Sequence, residues 1–540
     1  MDAGEDRLFL GFDFSTQQIK ADAINDSLQL VNETAVKFDS DLPEFKTHGG
    51  VHIHNDNVTV TAPAIMWVKA FDLLLDKMKK DGFPFHKVAC ISGAGQQHGS
   101  VYWKKGTNQI LRNLDDKKQL HEQLQYCFSI PDSPIWMDAS TTKNCRELEE
   151  KVGGPLKLAE ITGSRAFERF TGTQIMKISQ TRPSEYNDTE RISLVSSFAA
   201  SLLIGDYAPI DLSDGSGMNL LDIRRKKWSP ECLQACGSNL SQKLGEPVPS
   251  KQVIGNVSQF LIGRYHFSPN CKVVAFTGDN PASLAGVAPK LGDAIISLGS
   301  SDTVFSWLSN QTVELDGNVF VNPIDSETYM SLVCFKNGSL TRERIKDERA
   351  EGSWDKFSEY LKNTPMGNNG NIGIYFDVME IQPLSQGIFR FNKSDEKVES
   401  FPPEVEVRAV IEGQMIARKM YTEKRGMHTG LDTRILATGG ASLNKAILQV
   451  ISDVFGAPVF VSDISNSAGL GSCYRAKHGL DGCDFADVVK NHHRPECVAV
   501  PTEGASEDSM VVISRMLLRT TTDLSVWQSP QRALVRSIRK

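Results

Sequence analysis

The sequence lacks the features that mark several large classes of protein. Lysine and arginine number 59 against 66 aspartate and glutamate residues, and a net charge of −7 offers no basic surface to nucleic acid or an anionic membrane. No apolar run approaches the roughly 18 residues of a membrane-spanning helix. The opening MDAGEDRLFLGFDF is acidic where a signal peptide is basic. We therefore expect a cytoplasmic protein that binds small molecules, with neither nucleic acid nor a membrane as partner.

Familiar nucleotide-binding motifs are also missing. The sequence contains no GxxxxGK[ST] phosphate loop and no protein-kinase set of glycine loop, lysine and HRD residues. GAGQQHG (93–99) is close to the dinucleotide pattern GxGxxG, but His98 stands in place of the third glycine and would crowd the helix–strand packing. The ten cysteines are scattered, which favours reduced thiols over a disulfide framework.

Short apolar strands alternate with amphipathic helices, which indicates an α/β fold. Helices are predicted from Ala64 to shortly before Gly82, over about 404–423 and over about 443–455. The polar segment 104–124 is interpreted as a surface insertion. A chain of 540 residues exceeds one hydrophobic core, so we expect two or more domains.

Four predicted strands end in small or polar residues, at 87–95, 272–280, 294–302 and 434–442. Ligands of parallel sheets bind outside the carboxyl ends of the strands, so these four ends predict one shared cleft. At one of them, FTGDN (276–280), Asp279 and Asn280 either face a ligand or only form a turn. The rival carboxylates Asp214 and Asp222 lie in a stretch that we interpret as a solvated hairpin or helix cap.

A weak internal repeat aligns DFSTQQIKADAI, from Asp13, with LGSSDTVFSWLS, from Leu298. Each reads as a strand, a tight turn with hydroxyl residues and a second strand, as expected if the chain folds twice into the same domain. Backbone N–H groups of such turns can hold phosphate, and Asp13 could hold a magnesium ion through water. An ordinary hairpin turn is the alternative.

Two further segments offer binding groups. Gln96, Gln97 and His98 form a polar strand tip that could hydrogen-bond a polyol, although a structural histidine is the alternative. TGGASLNKAIL (438–448) is a glycine-rich turn against which a flat ring could lie, with Asn444 at the edge of the ring. Trp354 could stack on such a ring or pack in the core.

The order of seven motifs resembles the FGGY family of carbohydrate kinases over residues 7–480. The motifs are DFST (13–16), GQQHG (95–99), WMDAST (136–141), ITGS with FTG (161–172), TGDN (277–280), LGSSD (298–302) and ATGGAS with Asn444 (437–444). Within the family, GQQHG is similar to the stretch found in kinases of xylulose rather than of glycerol. The resemblance implies two actin-like, ribonuclease-H-like domains with the active site in the cleft between them. We expect an N-terminal domain at 1–288 for the sugar and the catalytic base, and a C-terminal domain at 289–540 for ATP.

The resemblance also implies a role for each matching position. Asp279 is expected to be the catalytic base, with the sugar also bound by His98, Arg169 and Asn280, and Asp13 is expected to lie beside Mg²⁺. The residues expected at ATP are Ser15, Thr16, Gln17, Ser300, Ser301, Trp354, Gly439, Gly440, Ala441 and Asn444.

The expected reaction is ATP-dependent phosphorylation of D-xylulose on its terminal hydroxyl. Asp279 would accept the hydroxyl proton at an ordinary carboxyl pKa of about 4, and Asn280 would donate a hydrogen bond to the sugar. The alternatives are a kinase for another ketose or polyol and, from another class, an actin-like nucleotide-dependent switch protein.

Overall fold

The computed structural model describes residues 7–461, 466–491 and 494–505. The strands are β1 Leu8–Phe14, β2 Gln18–Asn25, β3 Leu30–Lys37, β4 His52–Ile53, β5 Val60–Pro63, β6 Val88–Gly95, β7 Ser100–Lys104, β8 Phe128–Ile130, β9 Asp132–Pro134, β10 Thr189–Leu194, β11 Leu221–Asp222, β12 Lys227–Trp228, β13 Val253–Asn256, β14 Lys272–Val274, β15 Thr277–Gly278, β16 Ala294–Leu298, β17 Asp302–Leu308, β18 Asn318–Val321, β19 Tyr329–Phe335, β20 Ile372–Phe376, β21 Gly387–Phe391, β22 Ile435–Thr438, β23 Val459–Val461 and β24 Glu496–Ala499. The α-helices are α1 Phe38–Asp41, α2 Ala64–Lys80, α3 Thr107–Arg112, α4 Leu120–Leu124, α5 Thr142–Val152, α6 Pro155–Thr162, α7 Thr171–Thr181, α8 Pro183–Asn187, α9 Val195–Ile204, α10 Leu212–Gly215, α11 Pro230–Cys236, α12 Leu240–Leu244, α13 Gln259–Tyr265, α14 Asp279–Gly286, α15 Ser339–Arg349, α16 Trp354–Asn363, α17 Pro403–Lys424, α18 Lys445–Phe455, α19 Ser467–Asp481 and α20 Phe485–Val488. None of the described helices combines the length and apolarity needed to cross a membrane.

The described chain forms two compact units. The first comprises residues 7–289, 319–330 and 466–491, and the second comprises residues 290–318, 331–461 and 494–505. The chain therefore returns to the first unit twice after Pro289. The division of sugar and ATP binding between domains at 1–288 and 289–540 stays a prediction.

The main sheet of the first unit has the strand order β13-β14-β6-β1-β2-β3, and β15 extends it beside β6. β1 and β2 form an antiparallel hairpin, whereas β6 runs parallel to both β1 and β14. β1 is buried along its whole length. Helix α2 buries Val68, Phe71, Leu75 and Met78, which confirms the helix predicted from their spacing.

The sheet of the second unit repeats this pattern with the order β19-β17-β16-β22-β23-β24. β16 and β17 form an antiparallel hairpin, β22 runs parallel to β16 and β23, and β24 is an antiparallel edge strand. The hairpins β1–β2 and β16–β17 thus hold equivalent places in their sheets, which supports a fold used twice. The predicted helix at 404–423 is confirmed as α17.

Segment 104–124 is more than the predicted surface insertion. It forms α3 and α4, and their leucines Leu111, Leu120 and Leu124 are buried in the main core of the first unit. The backbone amide of Leu120 donates to the carboxylate of Asp72 on α2 at 3.2 Å. Burial of these three leucines is enough to anchor a largely polar segment.

Candidate functional site

The candidate residues of the first unit lie where three neighbouring strands end. Asp13 on β1 pairs with Ala94 on β6, and Ala94 pairs on its other side with Thr277 on β15. The polar tip 96–98 follows β6, and Asp279 is the first residue of α14, directly after β15. Because β1, β6 and β15 run parallel, their carboxyl ends bring these groups to one edge of the sheet.

Asp13 has hydrogen-bonding capacity that the protein leaves unused. Its Oδ2 accepts a hydrogen bond of 2.6 Å from Ser15 Oγ. Its Oδ1 is buried and has no hydrogen-bond partner among the described residues. Burial raises the pKa of Asp13, and the hydrogen bond from Ser15 and the charge of Lys20 oppose the rise.

Asp279 differs electrostatically from the expectation. Burial of the carboxyl group and then the negative charge of Asp13 raise the pKa of Asp279 to about 7. Hydrogen bonds from the backbone amides of Asn280 and Gln97 offset part of the rise. This pKa lies above the expected value of about 4, because the sequence reveals neither the burial of Asp279 nor the nearby charge of Asp13. A base that titrates near neutral pH suits proton abstraction.

The two carboxyl groups fit a divalent cation. Asp13 offers a buried oxygen without a partner in the described chain, and its negative charge raises the pKa of Asp279. A cation bound to Asp13 would pair with that oxygen and offset that charge. Within the described ranges, no three His, Cys, Asp or Glu side chains converge as a metal site. A cation held by Asp13 would therefore keep several water or phosphate ligands, as Mg²⁺ normally does.

Asn280 presents an acceptor where a donor was expected. Its Nδ2 donates to Gln97 Oε1 at 2.8 Å and to Asp279 Oδ1 at 3.2 Å. Its backbone N–H also donates to Asp279 Oδ1, at 2.8 Å. The side-chain Oδ1 is left to accept a hydrogen bond from a ligand hydroxyl.

His98 is held as a neutral ring with one free acceptor. Its Nδ1 lies 2.8 Å from the carbonyl oxygen of Gly217, and its ring stacks on Phe170 with a centroid distance of 4.4 Å. Burial and the positive charge of Arg169 lower the pKa of His98 to about 3. Nδ1 therefore carries the proton and donates, while Nε2 has no partner in the described part of the chain.

The backbone of His98 has a φ of 70°, in the left-handed region that favours glycine. This is the position of the third glycine in the GxGxxG-like pattern, which explains the partial match to that motif. A non-glycine residue in this conformation carries backbone strain, which is often found at functional sites.

Arg169 lies beside this tip with its charge unmatched. Its guanidinium carbon is 5.8 Å from the ring centroid of Phe167, and the described residues provide it with neither an ion pair nor a hydrogen bond. It is only partly buried. Its predicted role at the sugar stays a prediction.

Asp214 is buried, although its sequence context suggested a solvated position. It is 1% exposed, on a short helix that Asp211 caps by accepting a hydrogen bond of 3.0 Å from the Asp214 amide. Burial and the charge of Asp211 raise the pKa of Asp214 well above its usual range. The interpretation of a solvated position is wrong for Asp214. Asp222 lies in a hairpin, β11–β12, as interpreted, but its side chain is only 19% exposed. The spacing Asp211-x-x-Asp214 is a capping signal that could have indicated a helix here.

The turn of the first hairpin is partly exposed, because Ser15 and Thr16 are half-buried. The Ser15 amide donates to the Gln18 carbonyl at 3.0 Å, and Gln17 is exposed. Trp136 Nε1 donates to Thr16 Oγ1 at 2.9 Å. Trp136 opens the WMDAST motif, whose contact with this turn the sequence analysis missed.

The turn of the second hairpin is more exposed. Ser300 and Ser301 are exposed, and their hydroxyls have no hydrogen-bond partner among the residues that the structure describes. A Cβ on Gly338 would lie 2.7 Å from the carbonyl oxygens of Gly299 and Ser300. The turn therefore packs directly against the backbone at Gly338, just before α15.

Asp302, the last residue of LGSSD, is fully buried and neutralised. Arg342 donates to its two carboxylate oxygens at 2.8 and 2.9 Å, and Arg418 donates to Oδ2 at 2.9 Å. This carboxylate has no capacity left for a ligand.

The glycine-rich turn of the second unit follows β22. Gly439 has a φ of 84°, and a Cβ there would lie 2.6 Å from the Leu298 carbonyl oxygen, so only glycine fits. A Cβ on Gly440 would meet open space. Gly440 is exposed and Ala441 is partly buried.

Asn444 caps α18, which begins at Lys445 rather than at the predicted Leu443. Its Oδ1 accepts from the amides of Ala446 and Ile447 at 3.0 and 3.1 Å, and its Nδ2 donates to Ser358 Oγ at 2.9 Å. Both polar ends are engaged, so the side chain shapes the turn. Its contact with a ligand stays a prediction.

Trp354 is the first residue of α16 and is 38% exposed. The Nζ of Lys346 lies 5.4 Å from the Trp354 ring centroid. The Phe357 ring packs against Trp354 in a T-shaped arrangement with a centroid distance of 5.2 Å. Ser358 on the same helix joins α16 to the turn at Asn444. The ring is thus neither fully packed nor free, and stacking on a nucleotide base stays a prediction.

Comparison with known proteins gives a consistent result. The sequence models of the N-terminal and C-terminal domains of the FGGY family of carbohydrate kinases match residues 130–286 and 294–480. The xylulose kinase of Rattus norvegicus is 56% identical over 512 residues, which cover 94% of this chain and 96% of the relative.

Solved structures share the fold at low identity. The xylulose kinase of Rhodospirillum rubrum has a TM-score of 0.80 at 14% identity, covering 95% of this chain and 99% of its own. The gluconate kinase of Lactobacillus acidophilus has a TM-score of 0.78 at 13% identity, covering 96% and 99%. The fold is thus common to kinases of different sugars. The family matches and the near-full-length identity show that this chain belongs to the FGGY family of carbohydrate kinases, with its two-domain, actin-like fold.

Proposed function

We propose that the protein transfers the γ-phosphate of ATP to the terminal hydroxyl of D-xylulose, giving D-xylulose 5-phosphate. The fold alone does not select this sugar, because a gluconate kinase shares it. The observation that carries the proposal is the 56% identity to a xylulose kinase over nearly the full length of both chains. Asp279, Asn280 and His98 lie together at one edge of the sheet, where they supply a base and two hydrogen-bond acceptors for a sugar.

Asp279 is the base in this proposal. It accepts the proton of the sugar hydroxyl as that oxygen bonds to the γ-phosphorus and ADP leaves. A pKa of about 7 keeps a substantial ionised fraction at neutral pH and makes the carboxylate a better proton acceptor than an ordinary aspartate. Phosphoryl transfer depends mainly on positioning and charge neutralisation, so the reaction needs only one general base from the protein.

The sugar is held by groups of known polarity. Nε2 of His98 and Oδ1 of Asn280 accept hydrogen bonds from sugar hydroxyls, while the guanidinium of Arg169 donates. The neutral His98 accepts without adding a charge near Asp279.

ATP and Mg²⁺ are assigned to the remaining residues. Asp13 would hold Mg²⁺ through its unpartnered oxygen, and the bound ion would offset phosphate charge. The turns 15–17 and 300–301 are assigned to the phosphates. Because the hydroxyl and the amide of Ser15 donate to Asp13 and Gln18, the donors to phosphate come from Thr16, Gln17, Ser300 and Ser301. Gly439, Gly440, Ala441, Asn444 and Trp354 form the surface for adenosine.

The proposed partners are therefore a sugar and ATP, without nucleic acid. We place the reaction in the cytoplasm, where the ten cysteines, none of which forms a disulfide, would stay reduced.

A coupled assay of ADP release tests the proposal across pentuloses, hexuloses, gluconate and glycerol. We expect D-xylulose to have the highest kcat/KM. A higher value for another compound would make the protein a kinase for a different ketose or polyol. ATP hydrolysis that no sugar stimulates would favour a nucleotide-dependent switch.

A further inference from the structure

Gln97 contacts the catalytic pair through its side chain and has an unpaired end. It is 3% exposed. Its Oε1 accepts the 2.8 Å hydrogen bond from Asn280 Nδ2, whereas its Nε2 is buried without a hydrogen-bond partner among the described residues. A buried donor without a hydrogen bond lowers the stability of the fold, so such groups are rare unless they serve a function.

The Gln97 side chain borders the carboxyl group of Asp214, and their polar contact opposes part of the rise in the Asp214 pKa. A Cβ on Gly278 would lie 3.0 Å from Gln97 Cδ and 2.7 Å from Asp214 Oδ1, so both groups border the small space beside this glycine. Asp214 Oδ1 is buried and makes no hydrogen bond of normal distance and angle in the described chain. The other oxygen, Oδ2, accepts a hydrogen bond of 2.6 Å from Ser196 Oγ. Ser196 thus holds one carboxyl oxygen of Asp214, and the other oxygen is left on the side of Gln97.

We propose that Gln97 is a positioning residue for sugar phosphorylation and that Asp214 acts through it. Asp214 restrains the Gln97 amide, which in turn fixes the Asn280 amide with its Oδ1 turned to the sugar. Because Asn280 donates to Asp279 through both its backbone and its side chain, a rotated Asn280 also disturbs the base. The inference rests on the proposed function, since it assumes that Asp279 and Asn280 act on the sugar.

The positioning role of Asp214 does not require a charged carboxyl group. Burial and then the neighbouring Asp211 raise the pKa of Asp214 well above its usual range. Asparagine has the same shape, is neutral and keeps an oxygen that can accept a hydrogen bond from Gln97. This separates a positioning role for Asp214 from the role of catalytic base, which needs a carboxylate.

Gln97→Met is the primary test, because methionine has a similar length but no amide. We expect kcat/KM for the sugar to fall about 5- to 150-fold, as for a lost hydrogen bond whose partner stays buried. KM for ATP and the melting temperature should stay near the wild-type values. The matched control is Gln180→Met, which removes a glutamine bonded to Glu147 at 3.0 Å on α7, and it should leave the sugar kinetics unchanged. An unchanged kcat/KM for Gln97→Met would overturn the inference, as would an equal effect on the ATP parameters.

Two variants of Asp214 test the second half. Asp214→Asn should keep kcat/KM close to wild type, whereas Asp214→Leu should lower it as Gln97→Met does. The double variant Gln97→Met/Asp214→Leu should be no worse than the poorer single variant, because both act on Asn280. A loss in Asp214→Asn of about 10²–10⁴-fold, as for a missing base, would overturn the positioning role, and so would additive effects in the double variant.

The wild-type substrate panel is measured first, and the variants are assayed with its best substrate. A wild type that phosphorylates no sugar would contradict the proposed function. An active wild type with a normal Gln97→Met variant would contradict only this inference.

Discussion

The turns after β1 and after β16 hold equivalent places in their sheets but treat negative charge in opposite ways. Asp13 retains a buried oxygen without a partner in the described chain, and its charge raises the pKa of Asp279. Asp302 is neutralised by Arg342 and Arg418. The first turn therefore lies beside reactive charge, whereas the second presents only hydroxyl and backbone groups.

The comparison shows that one backbone arrangement serves two chemical purposes. Unsatisfied, mutually repelling carboxyl groups are costly and persist where a ligand or a proton transfer uses them. A carboxylate saturated by two arginines is structural, and removing one partner leaves a buried charge without compensation. The predictions below separate these two kinds of aspartate and the residues around them.

The largest effect is expected from Asp279→Asn. The amide keeps the shape and most hydrogen bonds but cannot accept the proton, so kcat should fall about 10²–10⁴-fold while the protein stays folded. Single-turnover phosphorylation measures the loss, and calorimetry checks that sugar still binds. Asp222→Asn, in the β11–β12 hairpin, is the control. A near-normal kcat for Asp279→Asn would give the role of base to another carboxylate, with Asp214 as the first candidate.

Asp302→Asn should damage stability. Two buried arginines lose their counter-charge, so the free energy of unfolding should decrease by about 3–5 kcal/mol. Urea unfolding measures it, with Asp432→Asn as control because the Asp432 side chain is 81% exposed. Full stability with a large loss of kcat would contradict the structural role of Asp302.

His98→Ala should raise KM for the sugar about 5- to 150-fold, because it removes the acceptor Nε2. KM for ATP should change little, since no described contact joins His98 to a residue assigned to the nucleotide. Steady-state kinetics with each substrate varied in turn measures both constants. A rise confined to the ATP KM would refute the sugar assignment.

The acid limb of the pH profile reports on the pair Asp13 and Asp279. A base with a pKa of about 7 works when ionised, so kcat/KM should rise with pH through about 7 and then level off. Asp13→Asn removes the neighbouring charge, so the pKa of Asp279 should fall and the midpoint should move to lower pH. ¹³C NMR titration of the Asp279 carboxyl group gives the same answer without activity. A midpoint that does not move would show that Asp13 does not contribute.

The raised pKa of Asp279 also affects stability, with a defined sign. In the ligand-free folded protein this carboxyl group binds its proton more tightly than in the unfolded chain, where the pKa is about 4. Its stabilising contribution is therefore complete below about pH 4 and is lost as the pH rises through 7. Asp13→Asn should reduce that loss in thermal melts across this range.

The smallest effects are expected in the glycine turn. Gly440→Ala places its methyl group in open space, so the protein should melt normally while KM for ATP rises severalfold if adenosine lies there. Gly439→Ala should instead lower the free energy of unfolding by more than about 1 kcal/mol, because φ is 84° and Leu298 is close. An unchanged ATP KM in Gly440→Ala would remove this turn from the nucleotide site.

The sequence by itself determined the α/β pattern, the major helices and the family. The periodic apolar residues of α2 and the limits of α17 follow from local rules, because burial of one helix face repeats every three or four residues. The motifs around His98, Asp279 and Gly439 also lie at strand ends, as predicted. Their order along the chain was sufficient to indicate a carbohydrate kinase.

The tertiary structure alone decided the chemical state of these groups. The pKa of Asp279 depends on burial and on Asp13, which is distant in sequence but lies at the same edge of the sheet, on the other side of β6. Likewise, only folding shows that Asn280 offers an acceptor and that Asp214 faces Gln97 from the interior. Electrostatic and hydrogen-bond energies depend on distances in space, and these distances follow from how the strands pair rather than from their spacing along the chain.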